Sequence, residues 1–172
     1  MSHDPLTELN AFLAYSLSLE EDSVERLEEM ADMMAVHHQN DIEHLFRQLA
    51  EYSKKHADEV MAICGNTELP VLKPWDFIWP GAEPPETCDY ASAVYGMTTR
   101  QALTNMLMLE RNTASFYQEI AERSPNGDIA KLAQEFANEE IGHASAIEEW
   151  LQRIPDSDNS HRDMDPPTEP DS

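Results

Sequence analysis

Residues 129–151 read Ile129-Ala-Lys-Leu132-Ala-Gln-Glu-Phe136-Ala-Asn-Glu-Glu140-Ile-Gly-His143-Ala-Ser-Ala-Ile147-Glu-Glu-Trp-Leu151. Ile129, Leu132, Phe136, Ile147 and Leu151 recur at helical spacing and form one apolar stripe. Midway along it the apolar residues give way to Glu140 and His143, whose i, i+3 spacing projects both side chains from the same helical face. Burying an unpaired carboxylate costs on the order of several kcal/mol or forces it to protonate. A seam interrupted in this way needs a partner for its polar groups.

Three further stretches repeat the pattern. Asp4 followed by Pro5 predicts an N-cap with proline at the first helical position, opening a helix that lasts to about Val36. Its seam, Leu13, Leu17, Val24, Leu27, Ala31 and Met34, is broken by Glu20. After a break at His38 to Asn40, a second helix is expected from Asp41 to Gly65, which suits the left-handed position beyond a helix end. Its seam of Ile42, Phe46, Leu49, Val60 and Ile63 is broken by Ser53 and His56. Thr98 with Gln101 reads as a capping box for a third helix to about Arg123, carrying Leu103, Met106, Tyr117 and Ile120 around Glu110. Ser124-Pro-Asn-Gly makes a turn, and Asp128 is expected to cap the fourth helix, which ends near Arg153.

On these bounds every interruption falls near the middle of its helix, so all of them meet at one height of a bundle. A single Glu or His in a seam is more often a hydrogen-bonded core residue or lies at the seam's edge. Exceptions at the same height on all four helices are not explained that way. Three buried carboxylates would also repel one another, and a divalent cation removes both penalties.

A chain of 172 residues with 41% hydrophobic content supports one core. One domain over residues 1–155 is expected, followed by a disordered, acidic, proline-rich tail over 156–172. The connection over residues 66–97 holds five prolines with Trp75, Phe77, Trp79, Tyr90 and Tyr95. It is too apolar for a loose linker and is expected to pack on the bundle or at a homodimer interface. Its length lets it run the height of the bundle, leaving helices two and three parallel. The expected fold is therefore all-α: a ferritin-like antiparallel four-helix bundle with a long crossover between helices two and three.

The net charge of -23 argues against nucleic acid and anionic membranes as partners and favours cations. Cys64 and Cys88 form no Cys-x-x-Cys unit, so neither a zinc ribbon nor a rubredoxin-type iron site can be built from them. The N-terminus lacks a signal-like apolar run, and no stretch reaches the roughly 20 apolar residues of a membrane span. A soluble, cytoplasmic protein is expected.

Leu19-Glu20 followed by Ser23 and Leu27, Phe46-Arg-Gln-Leu-Ala-Glu-Tyr-Ser-Lys-Lys-His56-Ala, Leu109-Glu110 with Phe116-Tyr117, and Glu139-Glu140-Ile-Gly-His143-Ala together resemble the four helix motifs of the rubrerythrin-like ferritin family. The resemblance covers residues 6–153, and its last motif is the most specific. Di-iron bundles of this kind take a Glu from each of two helices and Glu-x-x-His from each of the other two. The resemblance implies a non-haem iron site of one or two ions held by Glu20, His56, Glu110, Glu140 and His143, with manganese or zinc as alternatives. It also implies Fe(II) oxidation or reaction with dioxygen or peroxide. Two-domain rubrerythrins draw electrons through a rubredoxin domain, so this chain would need an external donor.

Ser53 departs from the pattern, because it stands where the second helix should carry the Glu of Glu-x-x-His. Glu51 is no substitute, since two residues along a helix rotate it about 200° away. Tyr52 is nearer in angle, but a phenol is a poor ligand until ionised. The site is accordingly expected to be asymmetric, weaker or mononuclear, with the His56 side reduced to Glu20 and His56. Two other functions fit the same residues: a metal-binding or structural bundle without turnover, and a partner-binding module using the aromatic crossover. His37, His38 and His44 are expected at the surface, Tyr117 as a core aromatic, and Met30, Met33, Met34, Met106 and Met108 as core or edge filling.

Overall fold

The structure, a computed structural model, describes residues 3–72 and 97–154. Most of the expected crossover, including Trp75 and Trp79, and the acidic tail lie outside these residues. Among the described residues there are four helices and no strand: α1 (Leu9–Val36), α2 (Asn40–Cys64), α3 (Thr99–Arg123) and α4 (Gly127–Arg153).

The helix ends follow local chemistry, in two cases differently from expectation. Asp4 does not cap α1. Its carboxylate accepts from the Leu6 amide at 2.9 Å and the Thr7 hydroxyl at 3.2 Å, closing a short turn, and the helix begins only at Leu9. A short acid that can reach the amide two residues on favours such a turn over a cap. Nor does Asp128 cap α4. Asn126 takes that place, accepting from the amides of Asp128 at 3.0 Å and Ile129 at 3.3 Å, while Asp128 sits in the first turn, where negative charge suits the helix dipole. The Thr98–Gln101 capping box forms as expected, and Gly65 ends α2 with φ +60°.

Between α1 and α2 the Gln39 amide donates to the Met34 carbonyl and the His38 amide to the Ala35 carbonyl, a Schellman closure that puts His38 at φ +58°. That reversal tucks His37 inward, so it is 6% exposed instead of lying on the surface as expected; His38 and His44 are exposed. At the far end of α2 the expected core position Ile63 faces outward and Cys64 is buried in its place. Met108 is exposed too, whereas Met30, Met33, Met34 and Met106 are core.

α1 packs along α2, and α3 along α4, as two hairpins. Two apolar clusters fix how the hairpins sit against each other. One joins the end of α1 (Leu27, Met34), the start of α2 (Phe46, Leu49), the start of α3 (Leu103, Met106) and the end of α4 (Ile147). The other joins the opposite ends, through Phe12, Val60, Tyr117, Ile129 and Phe136. Helices α2 and α3 therefore start at the same end and run parallel, as the expected connectivity requires. No helix among the described residues is long and apolar enough to cross a membrane. Between the two clusters lies a layer in which the core turns polar.

Candidate metal centre

Glu20 from α1, Ser53 and His56 from α2, Glu110 from α3, and Glu140 from α4 are all no more than 3% exposed, and the His143 side chain is 14% exposed. The structure thus brings all five sequence-predicted ligands into one layer. Nδ1 of His56 lies 2.7 Å from Oε1 of Glu20, and Nδ1 of His143 lies 3.4 Å from Oε2 of Glu140 and 3.7 Å from Oε2 of Glu110. These approaches are close without being aligned hydrogen bonds. Both oxygens of Glu20 and Glu110, both ring nitrogens of His56 and Nδ1 of His143 are buried with no hydrogen-bond partner in the protein. Buried polar atoms are rarely left so, and each would carry a desolvation penalty of about 1–3 kcal/mol or more.

The donors form two groups: Glu20, His56 and Glu140, and Glu110, Glu140 and His143. Within each group the ligand atoms lie within 4.8 Å of one another. Glu140 belongs to both. This corrects the expectation that only Glu20 and His56 serve the His56 side, because the mid-helix position of Glu140 on α4 puts its carboxylate between the two histidines. Each group joins two residues with orphaned atoms to the shared Glu140 carboxylate, and this mix of carboxylate and imidazole fits a pair of divalent transition metal ions.

The electrostatics of the protein alone show why a cation suits the layer. Burial, followed by the charge of nearby Glu140, pushes the Glu20 carboxyl well above the usual range; burial and the same neighbour do this to Glu110. Burial would also raise Glu140, but polar contact with Glu110 and His143 overturns it and holds Glu140 down at about 2. Burial disfavours the His143 cation, yet Glu110 and Glu140 outweigh this and raise it to about 10. Desolvation lowers His56, with Glu139 and Glu140 opposing. Without a cation the layer therefore pairs an ionised Glu140 with a His143 imidazolium, while burial favours the protonated forms of Glu20 and Glu110.

The neighbours hold these groups in place. The Phe136 ring meets His56 edge-on at 4.1 Å and stacks on Phe12 at 5.7 Å. Tyr117 is wholly buried and packs against both phenylalanines, so its core-aromatic role holds, although its hydroxyl finds no partner. Burial, then Glu20 and Glu140, push its phenol well above the ordinary value. The Tyr52 ring stacks on His143 at 5.8 Å. On this side a cavity of about 430 Å³ opens between α2 and α4, lined by Tyr52, His56, Glu59, Glu139, Gly142 and His143 among others. The sequence reading missed Glu139 as a site residue. The signal was its place one turn before His143, which sets it on the same flank of α4.

Fold and donor set define a ferritin-like four-helix bundle with a candidate metal centre at mid-height. No family model matches the chain, and neither does any curated protein. The crystal structure of an uncharacterized conserved protein from Magnetospirillum magnetotacticum MS-1 matches with a TM-score of 0.74 and 33% identity, over 86% of this chain and 96% of that one. The chain belongs to the same family as that conserved protein.

Proposed function

We propose that the chain is a non-haem iron protein of the rubrerythrin-like kind that holds two ions in its polar layer. It oxidises Fe(II) or reduces peroxide or dioxygen with electrons from an external donor. One observation carries this reading: Glu140 is shared by two groups of three buried donors, most of whose atoms have no other partner. Mixed carboxylate and imidazole donors suit iron, with manganese and zinc as competitors. Bound iron would supply the one-electron redox chemistry that no side chain here provides. Glu20, His56 and Glu140 would hold one ion, and Glu110, Glu140 and His143 the other. Phe12, Phe136 and Tyr117 keep water from one side of the layer, while the cavity beside His56 and His143 admits a small oxidant from the other.

Anaerobic addition of Fe(II) to metal-free protein tests binding. At 100 times the dissociation constant, preferential binding to the folded state stabilises by about 2.7 kcal/mol, or roughly 5–10 °C in melting temperature for a domain of this size. Equal melting with and without Fe(II), Mn(II) and Zn(II) would refute the proposal. Admitting dioxygen or peroxide to the Fe(II) protein then tests turnover. Binding without oxidant-dependent Fe(II) loss selects the second reading, a metal-binding bundle without turnover, for which Ser53 in place of a carboxylate is the supporting observation.

A further inference from the structure

The His56 side of the centre lacks the carboxylate that Ser53 cannot supply, and a carboxylate from a different helix stands close by. Glu139 precedes Glu140 on α4, and a step of one residue turns it about 100° from the core toward α2. Its Oε2 lies 3.5 Å from Nδ1 of His56, the nitrogen that Glu20 approaches from α1 at 2.7 Å. That nitrogen is flanked by two carboxylates, Glu20 within the core and Glu139 on the cavity side. His56 is 3% exposed, and neither of its ring nitrogens has a hydrogen-bond partner, so a buried imidazole without a partner lies beside the extra carboxylate.

The plainer account makes Glu139 a solvated surface glutamate. Its side chain is 46% exposed, which allows that. Exposure alone does not explain why its carboxylate lies against a buried imidazole when the flank of α4 is open to solvent. Glu59, also exposed and lining the same cavity, has no such approach to His56 among the ion pairs of the described residues.

We propose that Glu139 is a sixth metal ligand, supplying from α4 the carboxylate that Ser53 withholds on α2. The inference rests on the two-ion reading above. The His56-side ion is then held by Glu20, His56, Glu140 and Glu139, and α4 alone contributes Glu139, Glu140 and His143 at i, i+1 and i+4. Because Glu139 lies on the open flank, this ion is the more exchangeable of the two.

Full-length metal-free protein is titrated anaerobically with Co(II), with stoichiometry read by equilibrium dialysis and coordination by the visible absorption of the ion. Wild type is expected to take two ions. Glu139→Gln keeps one tight ion and weakens the other by more than the roughly 10–100-fold typical of losing an outer-shell partner, with a changed spectrum for that ion alone. Glu59→Gln, which removes the same charge from the same cavity, leaves both affinities within a few-fold. The double variant Ser53→Glu with Glu139→Gln regains the second ion. Two unchanged ions in Glu139→Gln overturn the proposal and leave the two-ion reading standing. An equal loss in Glu59→Gln assigns the effect to cavity charge and overturns it as well. Failure of the double variant to recover shows that Glu139 does not stand in for the missing carboxylate. A wild type that takes no ion removes the reading beneath the proposal.

Discussion

Replacing Glu140 with Gln removes the one side chain common to both donor groups while keeping its shape. In the metal-free protein the lost interactions are those of a buried carboxylate with Glu110 and with the His143 imidazolium, the latter 3.4 Å away. Counted from the carboxylate, held at about 2 against an ordinary 4.5, their combined effect contributes roughly 3 kcal/mol at about 1.4 kcal/mol per pH unit. Counted from the imidazole, held at about 10 against 6.5, it comes to roughly 5 kcal/mol. The smaller figure is the better measure, because the imidazolium also gains from Glu110 at 3.7 Å, which the substitution leaves in place. The depressed carboxylate contributes fully above pH 4.5 and loses its effect as pH falls toward 2. The raised imidazole contributes fully below pH 6.5 and loses its effect as pH rises toward 10. Both act together between pH 4.5 and 6.5. Metal-free Glu140→Gln is therefore expected to be destabilised by about 3 kcal/mol at pH 6, about 6–12 °C in melting temperature, and by clearly less at pH 9. Urea denaturation with chelator at the two pH values measures this, and metal analysis should show that both ions are lost. Equal stability at pH 6, a larger loss at pH 9, or retention of two ions would refute the reasoning.

Two further outcomes follow from the same layer. Burial favours the protonated forms of Glu20 and Glu110, and His143 is held cationic, so metal binding displaces protons; proton release at pH 7 is expected in a weakly buffered dye titration, with affinity rising with pH, and no release would contradict this reading. Phe136→Ala removes the ring that braces His56 at 4.1 Å and stacks on Phe12, and is expected to cost about 3–5 kcal/mol in denaturation while weakening the His56-side ion more than the other; an equal effect on both ions would show that Phe136 supports only the core.

The helices and the five candidate ligands in the core were legible because a polar residue at mid-seam contradicts its surroundings in a way that spacing exposes. Glu20, His56, Glu110, Glu140 and His143 all arrive where their periodicity places them. The sharing of Glu140 was not legible, since it depends on the reach of one carboxylate across the axis of the bundle, which only the packing of α4 against α1 and α2 determines. Glu139 was missed for a related reason. An acidic residue beside a seam has the sequence signature of a solvated surface, and its approach to His56 is a contact between helices far apart in the chain. At the ends, Asp4 and Asp128 looked like caps because both are acids before helical stretches; Asn126 and the turn at Asp4 took precedence through amides two residues away. His37 went inside because His38 adopted a left-handed backbone, a choice the sequence signals weakly when the residue is not glycine.

The division of donors between the two hairpins also bears on how the molecule opens and closes. Glu110, Glu140 and His143 all come from the α3/α4 hairpin, whereas Glu20, His56 and Glu140 span α1, α2 and α4. On the proposed two-ion reading, one ion would be a clip inside a hairpin and the other a staple between hairpins. Separation of the two halves would have to strip the staple first, while the clip could survive on a detached α3/α4 unit. Slow amide exchange along α1 and α2 would then report occupancy of the His56 side, and exchange along α3 and α4 would remain protected as long as the other ion stays bound.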